Sequence, residues 1–302
     1  MNVNYVKIQE NNNSLNDSGG LKINVTDENT LRPIPGAVVD ISYTGDPGNV
    51  IEEVRTNSDG TTPMIQLNAP PLEYSMEPGD NQPYSMYTAR IKAEGYEDYV
   101  VRGAEIFPGV NSFCNTPLRP RSFNQPPDVV VIPANTLYGD YPEKIPEREI
   151  QPVNRQGQIV LSQVVIPETI VVHDGSPRDS TAKNYHVGYA DYIKNVASSE
   201  IYSTWPVETI KANILAIMSF TLNRVYTEFY RNKGYGFTIT SSTAYDHKWI
   251  HGRNIFDNVS ELVDELFNLY LSRPNVKQPI LTQYCDGKKV SCPNWMSQWG
   301  SK

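Results

Sequence analysis

The chain has 302 residues, 39% of them apolar and 20% charged, with a formal net charge of -8. That apolar content supplies two ordinary cores and excludes general disorder. The acidic balance, with no basic stripe, excludes a polyanion such as nucleic acid as partner, and no 18-residue apolar run offers a membrane span.

The opening "MNVNYVKIQENNNSLNDSGG" lacks the apolar core of a signal peptide, and its first 19 residues read as a mobile arm. Residues 20–118 carry short period-two runs, "LKINVT", "AVVDISY", "YTARIKA" and "EDYVVRG", separated by the turn chemistry of "TGDPGN" and "NSDG". These predict an all-β sandwich. Residues 119–168 hold Pro120, Pro126, Pro127, Pro133, Pro142, Pro146, Pro152 and Pro167, which forbid long helices and central strands. An extended linker or pro-segment is expected there.

Residues 169–302 change character and predict an α+β domain. "TIVVH" suits a buried strand, and "YADYIKNVASSEI" has helical spacing through Tyr189, Ile193 and Val196. Pro206 suits the first turn of a main helix with an apolar face at Ile210, Ile214, Ile217, Val225 and Phe229, stopped by Gly234. "GFTITSSTAY" reads as a strand. "NVSELVDELFNLYLSRP" reads as a helix capped by Asn258 with Glu261 three residues on, closed by Pro274. A last strand, "PILTQYC", leads into the turn "DGKK". Three cysteines are too few for a disulfide scaffold; Cys285 and Cys292 flank that turn and either pair across it or pack as thiols.

Glu200, in "SSEIYSTWP", is the candidate catalytic acid, because Ile201, Tyr202 and Trp205 can desolvate it and hold its proton near neutral pH. Aromatic rings also stack on sugar faces. Tyr202, Trp205, Tyr245, Trp249, Tyr284, Trp295 and Trp299 exceed what a bare core of this size needs. Glu208 and Glu228 read as solvent-facing helix residues. His173, His186, His247 and His251 lack zinc-ligand spacing, since no Glu sits between the last two in the arrangement of a metalloprotease helix.

Two resemblances add to this reading. "LRPIPGAVVDI", "TNSDGTT" and "IKAEGYEDYVV" resemble the carboxypeptidase-regulatory or transthyretin-like sandwiches appended to bacterial surface proteins. "DYIKNVASSEIYSTWPVETIKANILAIMSFTLNR" resembles the signature of the sporulation stage II protein D family of peptidoglycan lytic transglycosylases. With "IVVHDG", "YGFTITSSTAYD", "GRNIFDNVSELVDE" and "MSQWGS", residues 128–302 are similar to the clostridial spore cortex-lytic enzyme precursors.

The resemblance implies a lyase that cleaves the bond between N-acetylmuramic acid and N-acetylglucosamine in spore cortex peptidoglycan during germination. Glu200 holds the position of its catalytic acid. Ser297 and Gln298 match a motif beside its cleft; Tyr202, Trp205, Tyr245, Tyr284 and Trp299 are the further expected substrate-binding residues. The muramoyl C6 hydroxyl is the nucleophile, so one carboxylate suffices, in contrast to the usual hydrolase pair. No cofactor is required. Stage II proteins carry Cys and His near the segment matching "TAYDHKW", where a metal sits; Asp246 and His247 stand there without a nearby Cys, so no metal is expected. Glycan strands and an activating protease are the expected partners, and the spore cortex or coat the expected location, with the cell envelope as the alternative. Cleavage near residues 155–163 would remove an inhibitory or chaperoning segment of about 159 residues, the competing view being that the sandwich is a permanent spacer. Related domains continue past "SQWGS", so a further C-terminal portion is expected. The competing readings are a non-catalytic peptidoglycan-binding or amidase-activating envelope protein, and a structural envelope protein.

Overall fold

The computed structural model describes residues 17–122, 126–147 and 161–302. The first 16 residues of the expected arm, and the expected cleavage stretch up to residue 160, lie outside the described residues. Among the described residues the architecture is β-rich with five α-helices, arranged in several sheets. It divides into two units.

The first unit contains residues up to Glu77, Asn81–Asn135 and His251–Asp257. Its strands are β1 (Asp17–Asp27), β2 (Val38–Tyr43), β3 (Val50–Arg55), β4 (Ile65–Ala69), β5 (Ser85–Lys92), β6 (Tyr99–Ile106), β7 (Asn111–Leu118) and β8 (Asp128–Val131), with a one-turn helix α1 (Glu73–Met76) between β4 and β5. β1 begins inside the expected arm, because Gly19 and Gly20 pair with Leu67 and Gln66 of β4. One sheet runs β3-β2-β5-β6-β8 and the other carries β7-β1-β4, with β1 and β7 parallel. Alternation places Leu21, Ile23 and Val25 of β1, Val39 and Ile41 of β2, and Tyr87, Ala89 and Ile91 of β5 in the core. β8 falls within the expected linker and pairs with β6 as an edge strand, a position that neighbouring Pro126, Pro127 and Pro133 tolerate.

The second unit contains Pro78–Asp80, Thr136–Ile250 and Asn258–Lys302. Its elements are β9 (Thr169–His173), β10 (Asn184–Gly188), α2 (Tyr189–Glu200), α3 (Val207–Tyr226) and β11 (Ile239–Thr240). After the two-residue β12 (Ile255–Phe256), which belongs to the first unit, come α4 (Asp257–Leu266), β13 (Tyr284–Cys285), β14 (Met296–Ser297) and α5 (Gln298–Ser301). β9 is central in the order β10-β9-β11. α3 is buried on nearly every side, from Ile210 and Ile214 to Phe220 and Arg224, as a helix at the middle of a core must be.

Several elements differ from the sequence expectation. Pro206 precedes α3 rather than opening it, and α3 ends at Tyr226, eight residues before Gly234, because Glu228 takes φ 45° and turns the chain out of the helix. Gly234, at φ 86°, closes a short turn at Arg231–Lys233 instead. α4 starts at Asp257, so Asn258 lies inside it; its side chain donates to Ser203 O at 2.7 Å. The expected strands "GFTITSSTAY" and "PILTQYC" shrink to two-residue pairings. The expected linker is also incomplete as a description. Proline forbids regular ladders but not burial, and residues 136–147 place Leu137 and Lys144 inside the second unit.

Candidate functional site

α2 carries its buried face through Tyr189, Tyr192, Ile193, Val196 and Ala197. Glu200 is the next position on that face, four residues after Val196, so the helix delivers the carboxylate inward. It is 2% exposed. Oε1 accepts the Lys248 N–H at 2.6 Å, and Oε2 accepts the Tyr284 hydroxyl. Gln298 Nε2 donates to Glu200 O at 2.7 Å. Burial raises the Glu200 pKa; Lys144, the Tyr284 hydroxyl and the Lys248 amide oppose that shift without reversing it.

Glu200 faces a narrow pocket lined by Tyr141, Lys144, Thr243, Tyr284, Asp286 and Gln298, among others. The space open to water-sized spheres is about 20 Å³, room for about one water. Lys144 Nζ donates to Asp246 O and lies 5.1 Å from the Tyr284 ring centroid. Desolvation lowers its pKa. The second acid of the pocket, Asp286, is engaged with backbone: it accepts from Gly139 N at 2.6 Å, Lys288 N at 2.8 Å and Val290 N at 2.9 Å.

Behind Tyr284 lies His247, fully buried, its ring nearly parallel to the tyrosine at 5.9 Å. Nδ1 meets the Tyr192 hydroxyl at 3.0 Å, and Nε2 has no partner among the described residues. Burial, with Lys144 and Arg224 nearby, holds the imidazole neutral, its pKa far below the ordinary histidine value.

The loop that delivers Lys248 and His247 is fixed by Asp246. Its Oδ1 accepts Arg224 Nε at 2.7 Å; its Oδ2 accepts Tyr230 Oη at 2.6 Å, Thr240 N at 2.9 Å and Thr240 Oγ1 at 2.6 Å. Arg224 is clamped from the far side by Glu147, at 2.7 and 2.9 Å, a bidentate fork. Both Asp246 oxygens are therefore committed to protein donors. Among the described residues no group of three His, Cys, Asp or Glu side chains could hold a metal.

Of the expected substrate-binding residues, Tyr284 and Gln298 line the Glu200 pocket. Tyr202, Trp205 and Trp299 do not: their rings pack edge-to-face on one another at 5.0–5.9 Å inside the unit, and Trp299 Nε1 donates to Leu137 O at 2.7 Å. The physical reason is that bulky rings beside a helix entry are more useful as core than as platform. Ser297 caps α5 by accepting from Gly300 N at 2.9 Å. Tyr245 lines a wider cleft of about 470 Å³ with Glu147, Arg178, Phe229 and Lys233. Cys285 and Cys292 are disulfide-bonded, with Cα atoms 5.6 Å apart, and Gly287 between them takes φ 74° where a Cβ would meet Ser297 Oγ at 1.8 Å.

Glu208 is exposed; Glu228 is half-buried and pairs with Arg231 at 3.3 Å. His173 is held between Asn184 Oδ1 and Ser176 O, and His186 and His251 are exposed. Sequence reasoning missed Tyr141, Lys144, Glu147 and the structural part of Arg224. The first three lie among prolines with no periodicity to mark them; the Asn-Arg that closes the quoted "SFTLNR" was the visible signal for the fourth.

No family model matches the chain, and no curated protein matches it. Solved structures with a local likeness include the TIE protein of Bacillus anthracis, at 19% identity and a TM-score of 0.24 over 34% of this chain and 17% of that one. The wild-type catechol 1,2 dioxygenase of Acinetobacter radioresistens is 13% identical, with a TM-score of 0.24 over 38% of this chain and 58% of that one. A hydroxyquinol 1,2-dioxygenase from Pseudomonas putida is 16% identical, at 0.25 over 36% and 58%. The chain spans less than two thirds of each, and at these scores the likeness bears on no activity.

Proposed function

We propose that the chain is a peptidoglycan lytic transglycosylase precursor, a transthyretin-like sandwich followed by a stage II protein D-like domain, acting on spore cortex. The observation that carries this reading is Glu200: a buried carboxyl with a raised pKa, at the wall of a pocket, within the "SSEIYSTWP" signature. Protonated, it donates to the oxygen of the muramoyl–glucosaminyl bond as that bond breaks. As carboxylate, it takes the proton of the C6 hydroxyl while the 1,6-anhydro ring closes. The Lys248 N–H and the Tyr284 hydroxyl hold the two oxygens in place through both steps. Asp286 is committed to three backbone donors, which fits a mechanism that asks for one working carboxylate.

The pocket volume supports a precursor form. Ligand pockets run to roughly 300–1,000 Å³, whereas about 20 Å³ is open here. Tyr141 and Lys144, from the Pro-rich stretch, make part of the constriction. Displacing residues 136–147 widens the cleft and removes the cation that opposes Glu200's raised pKa.

The same constriction favours one second reading, a non-catalytic peptidoglycan-binding or amidase-activating envelope protein. Incubation of intact and proteolytically cut protein with cortex peptidoglycan, followed by mass spectrometry, separates the two. Anhydromuropeptides that appear with wild type and vanish with Glu200→Gln support the enzyme. Glycan binding without anhydro products in either form supports the binding protein.

A further inference from the structure

Residues 148–160 lie outside the described residues, and each unit includes chain from both sides of them in sequence. The first unit takes His251–Asp257 from the C-terminal side. β12 extends its second sheet, Ile255 opposite Phe113 and Phe256 opposite Ser112 of β7. Arg253 Nη2 donates to Glu105 Oε2 at 2.8 Å with both side chains buried. Asn254 reads the β6 backbone on two sides, donating to Glu105 O at 2.8 Å and accepting from Glu105 N at 3.2 Å, and donates to Ser112 Oγ at 3.1 Å. Phe256 packs edge-to-face on Phe107 at 5.2 Å. Gly252 passes so close, at φ 73°, that a Cβ would meet Val130 Cγ2 at 2.8 Å.

The second unit begins its long stretch, Thr136–Ile250, with Thr136–Glu147, on the N-terminal side of residues 148–160. Glu147 forks onto Arg224, Tyr141 Oη donates to Ser199 O at 3.0 Å, Ile145 N donates to Ala244 O at 2.8 Å, and Leu137 O receives Trp299 Nε1. The first anchor holds a buried arginine–carboxylate pair, which is costly to break from one side because the remaining charge is stranded out of water, and the second sets the buried Arg224 against a half-buried Glu147.

We propose that cutting the chain between residues 148 and 160 does not release either part: the two polypeptides stay together as a tight non-covalent complex, with the sandwich holding the "GRNIF" strand as a β-augmentation site and the second unit holding residues 136–147. The inference concerns association alone and stands whether or not the protein cleaves glycan. If the precursor reading holds as well, the cut is a first step, and widening the Glu200 pocket requires the later withdrawal of residues 136–147.

The test uses the full chain with a protease recognition sequence replacing residues 153–158. After complete cutting, the two pieces should co-elute in size exclusion with light scattering at the mass of the uncut chain, 34.0 kDa. Elution as separate pieces, or loss of one piece to aggregation, overturns the proposal. Arg253→Met should raise the dissociation constant of the cut complex about a hundredfold or more, because it strands Glu105 without its counter-charge. Arg253→Lys should recover part of that loss, and an unchanged constant in Arg253→Met refutes the first anchor. Should Arg253→Met fail to fold, hydrogen exchange at the Ile255 and Phe256 amides of the cut wild type decides: protection equal to that of the uncut chain supports the anchor, and its loss overturns it.

Discussion

Two buried carboxylates of the second unit are wired in opposite ways. Asp246, with no exposed surface, receives a guanidinium, a phenol, a backbone amide and a threonine hydroxyl. Glu200, almost as buried, receives one backbone amide and one phenol, and no arginine among the described residues. The first arrangement fixes a loop shape. The second leaves a carboxyl whose proton is held by desolvation and can leave. Burial alone does not separate structural acids from candidate catalytic ones; the donors around them do.

The largest way to break the comparison is Glu200→Gln, expected to lower anhydromuropeptide release by roughly 10³-fold or more, since the amide keeps the shape but cannot exchange a proton. Unchanged turnover with an intact circular dichroism spectrum would remove Glu200 from the chemistry. Asp246→Asn should instead act on stability, costing about 3 kcal/mol in urea unfolding because Arg224 loses the fully buried one of its two counter-charges. A change under about 1 kcal/mol would show that Glu147 alone suffices for the arginine.

Reduction of the Cys285–Cys292 bond, which closes a short loop carrying part of the pocket wall, should cost about 2 kcal/mol in thermal unfolding. Equal melting with and without a phosphine reductant would refute that. The smallest effects concern pH. The folded-state pKa of Glu200 lies above its ordinary 4.5, so the folded state binds its proton more readily than the unfolded chain does. Below pH 4.5 the group costs nothing. As pH rises from there through the raised value, the buried charge forms and stability falls by that linkage. Glu200→Gln should therefore gain stability relative to wild type as pH rises over this window, and a flat difference would contradict the raised pKa. Lys144→Met should move the alkaline limb of the activity profile further up, because the lysine is the largest influence opposing that raise; a downward shift would contradict the assignment.

Glu200 was legible in the sequence because a helix of fixed period carries its apolar stripe straight to that residue, and the aromatic neighbours mark the stripe's end. The strands at "LKINVT", "AVVDISY" and "YTARIKA" were legible for a similar reason, as β1, β2 and β5 largely bury alternate side chains, whereas β6, from "EDYVVRG", is buried on both faces. Lys144 and Tyr141 were not, since they sit among prolines and acquire their surroundings from residues as distant in sequence as Glu200 and Gln298. Tyr202, Trp205 and Trp299 were legible as aromatic but not as core, because composition does not say which ring faces are covered.

Local pattern thus determined where a carboxyl would be turned inward, where strands alternate, and where a helix would follow Trp-Pro; these depend on backbone period and on neighbours within a turn or two. Only the tertiary structure decided that α3 ends at Tyr226, that Arg224 and Asp246 set the loop bearing Lys248, and that residues 136–147 belong to the second unit and 251–257 to the first. Those outcomes rest on buried charge pairs and strand additions between distant segments, whose free energy comes from shared desolvation and appears in no single stretch of the chain.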